Sequence, residues 1–282
     1  KLWEGSWEDD AVLRDTRKGI YADPAKIHPI NHTGKNFEVT GPHLSEPSPQ
    51  RTPLLFQAGS STRGRRFAAT HAECVFIAES LASLRGPANV IADVRRQATR
   101  LGRRPEDIQF FQGISPVVGG TEAEAQAKRS EYLEQFSTEG ALAHLSGSIG
   151  VDLAAIDLDR PLDTINTNAM RGSVKSLIES EPDKTQTFRD LTRRRLNGRF
   201  VAGTPEQIAD VLQEWQDAGV DGFNLTYSVT PGTFVDFIDG VVPVLQERGL
   251  MQKEYSPGPL RQKIFGNPRL PDCHPAAAYR RS

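Results

Sequence analysis

Cysteine is nearly absent from this 282-residue chain: Cys74 and Cys273 are the only two, far apart and in no CxxC or zinc-like spacing. Their scarcity excludes a disulfide framework and suits a reducing compartment, so the cytoplasm is the expected location. Long apolar runs are missing as well. Stretches such as Val241 to Leu245 are far too short to cross a bilayer, and no membrane partner is expected. An excess of one charge sign is also lacking, since 34 Lys and Arg face 36 Asp and Glu for a net charge of −2. Such a balance gives no long-range field to draw in nucleic acid or an anionic surface.

What is present is 37% apolar residues, enough for one large globular domain or two small ones. The chain opens Lys1-Leu2-Trp3-Glu4-Gly5-Ser6-Trp7, without an initiator Met, in a pattern that reads as the end of an amphipathic helix. The expectation is an N-terminal truncation. Residues 7–53 are rich in Pro, Gly, His and Asp and read mainly as loop, with a small hairpin-like piece at 36–39.

A strand-and-helix alternation follows. Residues 53–58 form an apolar run bounded by Pro53 and Gly59, expected as a strand buried on both faces, with a helix over 64–71. A second strand is expected over 74–78 and a helix over 87–101, carried by Val90, Ile91, Val94 and Ala98. A third strand spans 108–114 and extends towards Val118. Thr121 with Glu124 is a capping box that opens a helix to about 136. The fourth strand, 222–226, lies between a helix capped at Thr204 with Pro205 at its first position and another over 231–249. Alternation of this kind implies parallel βα units, closing into a doubly wound sheet or a barrel. The roughly 80 residues between the third and fourth strands exceed any ordinary loop and imply an inserted helical subdomain, with helices over 168–179 and 185–196. The divisions are therefore 1–120, 121–200 for the insertion, 201–250 for the last βα unit, and 251–282 for an extended tail that wraps over the body or a partner subunit.

The segment richest in chemistry is Gln57-Ala58-Gly59-Ser60-Ser61-Thr62-Arg63-Gly64-Arg65, where a strand turns into a helix. Glycines let the backbone approach a ligand, hydroxyls and free amides donate hydrogen bonds, and the helix dipole favours an anion. Taken alone, an ordinary Gly-Ser turn with an N-cap explains such a run more often than a phosphate cradle does. Other constellations carry less. His28 and His32 are four apart, but Pro29 interrupts any aligning helix and no third metal ligand is evident. His71 and Glu73 read as scaffold. The four arginines within 189–195 read as a solvated face in a chain of balanced charge. Ser146-Gly147-Ser148-Ile149-Gly150 fails as a nucleophile elbow, because position 146 is not Gly and no strand precedes it.

Several motifs stand in one order: Leu2-Trp3-Glu4-Gly5-Ser6-Trp7; Glu46-Pro47-Ser48-Pro49-Gln50-Arg51-Thr52-Pro53; Gln57-Ala58-Gly59-Ser60-Ser61; Gly64-Arg65; Phe67-Ala68-Ala69; His71-Ala72-Glu73 with Val75-Phe76; Val220-Asp221-Gly222-Phe223-Asn224-Leu225; and Arg269-Leu270-Pro271-Asp272 with His274-Pro275-Ala276. In that order the chain resembles the bacterial-luciferase-like flavin monooxygenases, in the branch of the nitrilotriacetate and dibenzothiophene-sulfone monooxygenases. The resemblance covers nearly the whole chain and is weakest over 179–199.

The resemblance implies a (β/α)8 TIM barrel, represented here by its second half, strands five to eight, with a helical insertion. It implies reduced FMN (FMNH2) at the C-terminal ends of the strands, O2 as co-substrate, and oxygenation of a small organic substrate. Gln57, Ala58, Gly59, Ser60, Ser61, Arg63 and Gly64 would bind the cofactor, the two serines at its phosphate, with Arg65 nearby. Arginines at a helix start are more often merely solvated. His144, in the insertion that related enzymes fold over the flavin, is the candidate facing the reacting centre, although a lone His in an apolar helix is more often a packed residue. The resemblance further implies a separate NAD(P)H-dependent flavin reductase and a homodimer or homotetramer. Two alternatives stand beside this reading: a flavin or deazaflavin oxidoreductase that inserts no oxygen, and a partial domain without activity of its own.

Overall fold

The computed structural model describes residues 1–59, 61–77, 84–149 and 200–281, with 157, 159, 161 and 187 as isolated positions. The helices expected over 168–179 and 185–196, the arginines of 189–195, and Ser60 lie outside the described residues.

The N-terminal excursion holds more order than its composition promises. A single turn, α1 (Leu2–Gly5), precedes a hairpin of β1 (Val12–Asp15) and β2 (Ile20–Ala22). The Asp15 carboxylate holds its turn by accepting the amides of Arg17 and Lys18, both at 3.0 Å. A second hairpin pairs β3 (His32–Thr33) with β4 (Glu38–Val39), where the sequence had placed a hairpin-like piece.

The body is a parallel sheet with helices on one face. β5 (Phe56–Ala58), α2 (Thr62–His71), β6 (Cys74–Ile77), α3 (Arg85–Arg100) and β7 (Gln109–Val118) follow in order. α4 (Glu122–Glu134) and α5 (Thr138–Ile149) come next, then β8 (Phe200–Gly203), α6 (Pro205–Asp217), β9 (Gly222–Leu225) and α7 (Gly232–Asp236). α7 runs through a π turn, Phe237–Val241, into α8 (Val242–Glu247), and α9 (Leu260–Phe265) lies in the tail. β7 organises the sheet: its first residues pair with β6, its middle with β9, and its end with β8, all parallel.

The alternation of apolar side chains explains the layers. Val75, Ile77, Ile108 and Phe110 point to the helices, where Ala68 and Ala69 of α2 and Val90, Ile91, Val94 and Ala98 of α3 pack on them. Full burial of a Val or Ile contributes about 1.5–3 kcal/mol, so the α3 stripe alone anchors that helix. A second core joins Ile114, Val201, Ile208, Leu212, Phe237 and Val241 beneath α6 and the π turn. The opposite face carries Phe56, Phe76 and Phe111, with the Phe56 and Phe111 rings 5.5 Å apart.

One expectation requires correction, and one strand is additional. β5 is not buried on both faces; among the described residues it pairs only with β6, and Phe56 is 57% exposed. β8 was not foreseen: Phe200 to Gly203 is short and closes directly on the Thr204 cap, so its strand character comes from pairing with Ser115 to Val118. Both N-caps form, but the capping box is complete only at Thr204; at Thr121 the Glu124 carboxylate turns instead to the Gly120 amide at 2.9 Å. Thr121 accepts the Glu124 amide, and Thr204 and Gln207 exchange bonds at the start of α6.

Residues of the tail bond to the body. Arg261, 1% exposed, binds Glu73 and the carbonyls of Thr52 and Pro53, while Arg280 and Arg281 reach Glu4 and the Gly5 carbonyl. Glu73 is thus scaffold, as its junction position indicated.

Candidate cofactor site

β5 ends at Ala58, and the chain turns at once into α2. Gly59 makes the turn at φ +130°, a conformation open to glycine and costly with a Cβ. Ser61 follows in extended conformation, and its Oγ accepts the Gly64 amide at 3.1 Å. Ser61 is therefore the N-cap, and α2 starts two residues earlier than the apolar pattern indicated. The Arg65 amide donates to the Ser61 carbonyl at 2.8 Å, the helix's first internal bond. The amides of Thr62 and Arg63 precede that bond and are the groups a helix leaves to an outside acceptor. A Cβ on Gly64 would lie 2.8 Å from the Gly59 carbonyl oxygen, so only glycine lets the turn close this tightly.

The turn sits at the C-terminal end of a parallel strand, with the positive end of a ten-residue helix behind it. Gln57 reaches back into it: its Nε2 donates to the Ala58 carbonyl at 2.8 Å, and its buried Oε1 has no partner among the described residues. Arg63 is exposed. Arg65 lies 3.4 Å from Asp93 on α3. The structure thus brings Gln57, Ala58, Gly59, Ser61, Arg63 and Gly64 together around one cradle, with Ser60 outside the described residues.

Barrels more often hold phosphate in the loops after their last two strands, so the loop after β9 is the competing place. There the amides of Ser228 and Val229 both donate to Thr233 Oγ1 at 3.1 Å. Those two donors are spent on a side chain of the helix that follows. The turn after β5 retains what an anion needs.

His144 lies on α5 with its side chain exposed. Ser146 is in the same helix, so no strand-to-helix elbow forms there. His28 Nε2 is 2.7 Å from Glu8, and among the described residues no group of three His, Cys, Asp or Glu could hold a metal. No helix among them is long and apolar enough to cross a membrane.

Comparison with known proteins decides the family. Residues 10–222 match the family described as luciferase-like monooxygenase. The chain belongs to this family. Over 99% of its length this luciferase-like chain is 46% identical to dimethyl-sulfide monooxygenase of Hyphomicrobium sulfonivorans and 47% identical to long-chain alkane monooxygenase of Geobacillus thermodenitrificans. It covers 59% and 60% of those proteins. Dibenzothiophene-sulfone monooxygenase of Rhodococcus erythropolis and nitrilotriacetate monooxygenase component A of Aminobacter aminovorans match at 37% and 35%. The crystal structure of DmoA from Hyphomicrobium sulfonivorans superposes with a TM-score of 0.85 at 45% identity, over 99% of this chain and 60% of that one. That of riboflavin lyase with a modified FMN and riboflavin gives 0.86 at 37%, over 100% and 62%. The luciferase-like chain therefore spans about three-fifths of the length of the relatives it matches.

Proposed function

We propose that this chain is the C-terminal part of an FMN-dependent, two-component monooxygenase, in which reduced FMN and O2 oxygenate a small organic substrate. The carrying observation is the turn after β5, with glycine-enforced closure at Gly59 and Gly64 and helix amides left for an anion. When bound, reduced FMN supplies the reaction with oxygen. The chain's own residues hold it: the amides of Thr62 and Arg63, with Ser60 and Ser61, take the phosphate, Arg63 adds positive charge, and Gln57 offers an acceptor. His144 is assigned the position facing the reacting centre.

In this reading β5, β6, β7 and β9 are strands five to eight of a (β/α)8 barrel, and β8 pairs beyond the ring on the end of β7. Residues 121–200 are the helical insertion, rooted on the sheet by α4, and 251–282 are the strapping tail. Flavin is supplied by an NAD(P)H-dependent reductase, a division of labour that the word "component" in one relative's name supports. The substrate is uncharged: two relatives at 46% and 47% identity are named for dimethyl sulfide and long-chain alkanes, and the sheet face opposite α2 and α3 is aromatic. The enzyme is a cytoplasmic homodimer or homotetramer, its two thiols unpaired.

The test is equilibrium titration with FMN and with riboflavin, followed by turnover under labelled oxygen. Tighter binding of FMN than riboflavin and label in the product are expected. Equal binding of the two flavins removes the phosphate site, and an unlabelled product places the protein with the oxidoreductases that insert no oxygen.

A further inference from the structure

The far end of α2 is closed by groups from two distant segments. The Arg103 guanidinium, 3% exposed, donates to the carbonyls of Ala69 at 3.0 Å, Ala72 at 2.7 Å and Asp107 at 3.1 Å. The His71 carbonyl among them is taken by Nε2 of His274, 3.0 Å away, from the tail. His274 is 2% exposed, and its Nδ1 accepts the Ala276 amide at 3.1 Å. A carbonyl only accepts and a backbone amide only donates. The ring therefore carries its proton on Nε2 and a lone pair on Nδ1, which is the neutral imidazole. A second proton would set an N–H against the Ala276 N–H, with no acceptor for it among the described residues.

The surrounding charges do not welcome that proton. Arg103 from the loop after α3 opposes a second cation, and His71 on α2 is itself titratable. Glu73 at the entry to β6 favours a cation but is committed to Arg261 at 2.6 Å. Asp107 is held by Arg104 at 2.7 Å, and Cys273 leans on the same carboxylate at 3.5 Å. A helix C-terminus attracts positive charge, yet burial outweighs it here. Burial, with Arg103, holds the His274 imidazole below its ordinary value of 6.5, and His71 shifts the same way from the same two causes.

We propose that His274 is a proton-operated latch: neutral, it fastens residues 271–277 of the tail to the C-terminus of α2, and protonated, it releases them and loosens the opposite end of that helix. The second half rests on the phosphate reading above, because the opposite end of α2 is the proposed cradle. The sign follows from the lowered value. The folded state prefers the neutral ring, so the latch contributes stability above the ordinary histidine value and loses it as pH falls through the folded one.

The test follows amide hydrogen exchange of residues 271–277 and of the last turn of α2 in the full chain between pH 8 and 5, corrected for intrinsic rates. The preference for FMN over riboflavin is measured in parallel. Protection is expected to fall at least ~10-fold and the preference at least ~3-fold as His274 takes up its proton. His274→Gln keeps a donor for the His71 carbonyl without titrating, so both responses flatten in it. The FMN phosphate itself titrates near pH ~6, and comparison of wild type with variant at each pH removes that shared effect. Should the variant fail to fold, imidazole NMR on the wild-type chain replaces it: the Nε2–H tautomer at pH 8 and a midpoint coinciding with release are expected. Unchanged protection down to pH 5, an Nδ1–H or charged ring at pH 8, or a wild-type response in His274→Gln overturns the latch. Release with an unaltered flavin preference overturns the coupling to the cradle. Absence of FMN binding at pH 8 removes the cofactor reading and the coupling with it, while exchange decides the latch by itself.

Discussion

Arg261 Nε and Glu73 Oε1 meet at 2.6 Å inside the molecule, although 188 residues separate them. Their side chains are 1% and 3% exposed, Glu73 also accepts the Leu55 amide at 3.0 Å, and Arg261 covers the carbonyls of Thr52 and Pro53. One cluster therefore joins the tail, the entry to β5 and the entry to β6.

Breaking this pair strands a buried charge, which costs about 3–5 kcal/mol. Arg261→Met is expected to lower unfolding free energy by that amount in urea titrations. Arg261→Met with Glu73→Leu, which leaves no lone carboxylate, should recover part of the loss. A cost below about 1 kcal/mol for the single change would show that the pair contributes nothing beyond a surface contact.

The proposed cradle makes a sharper demand. Ser61→Ala removes the N-cap of α2 and should cost about 1 kcal/mol of stability. Gly64→Ala drives a Cβ into the Gly59 carbonyl and opens the turn. Each hydrogen bond to a charged group contributes about 1.5–3 kcal/mol, so Gly64→Ala should weaken FMN binding by roughly 10- to 100-fold while leaving riboflavin binding nearly unchanged. Fluorescence titration of both flavins checks this, and a parallel loss for the two would place the phosphate elsewhere.

Thiol chemistry offers an independent check on packing. Burial, with Glu73 and Asp221 nearby, pushes the Cys74 thiol up to about 12. At pH 8 only about one molecule in 10⁴ then carries the thiolate. Cys273 is exposed, although its thiol is also raised, by burial and by Asp107. Native protein is expected to take up one maleimide, at Cys273, faster as pH rises, and a second only on unfolding. Peptide mass mapping reads this, and prompt labelling of Cys74 would contradict the packing of β6.

The legible and illegible parts of this molecule divide by range. Thr121 and Thr204 announce their helices because a cap is local chemistry, and the turn at Gly59, Ser61 and Gly64 is visible for the same reason. β6, β7 and β9 show as short apolar runs. β8 does not, since Phe200 becomes a strand only beside Ser115. The exposure of Phe56 was hidden because burial depends on which strand lies alongside, and a run of apolar letters is silent on that. Arg261, Arg103 and His274 act across 31 to 211 residues, a separation at which sequence alone offers no pairing signal.

The edges of the sheet set the behaviour of the isolated chain. Among the described residues β5 pairs only with β6 and β9 only with β7, and Phe56 and Tyr227 are more than half exposed. Unpaired strands with apolar neighbours recruit other chains. The 282-residue polypeptide on its own is expected to self-associate in light scattering, and Phe56→Lys should reduce it. A monodisperse monomer at high concentration would show that these edges are covered.

β7 and β8 lie side by side, so the backbone that departs after Val118 comes home at Phe200 beside Ser115, its point of exit. α4 is fastened to that doorway by Lys128 on the Val118 carbonyl at 3.0 Å and by Glu122 with Gln207 at 3.2 Å. The chain therefore leaves the sheet after Val118 and re-enters it on the neighbouring strand at Phe200. An exchange of the intervening residues between relatives at those two joints leaves the pairing of β7 with β8 in place, so the sheet tolerates variation there without being rebuilt.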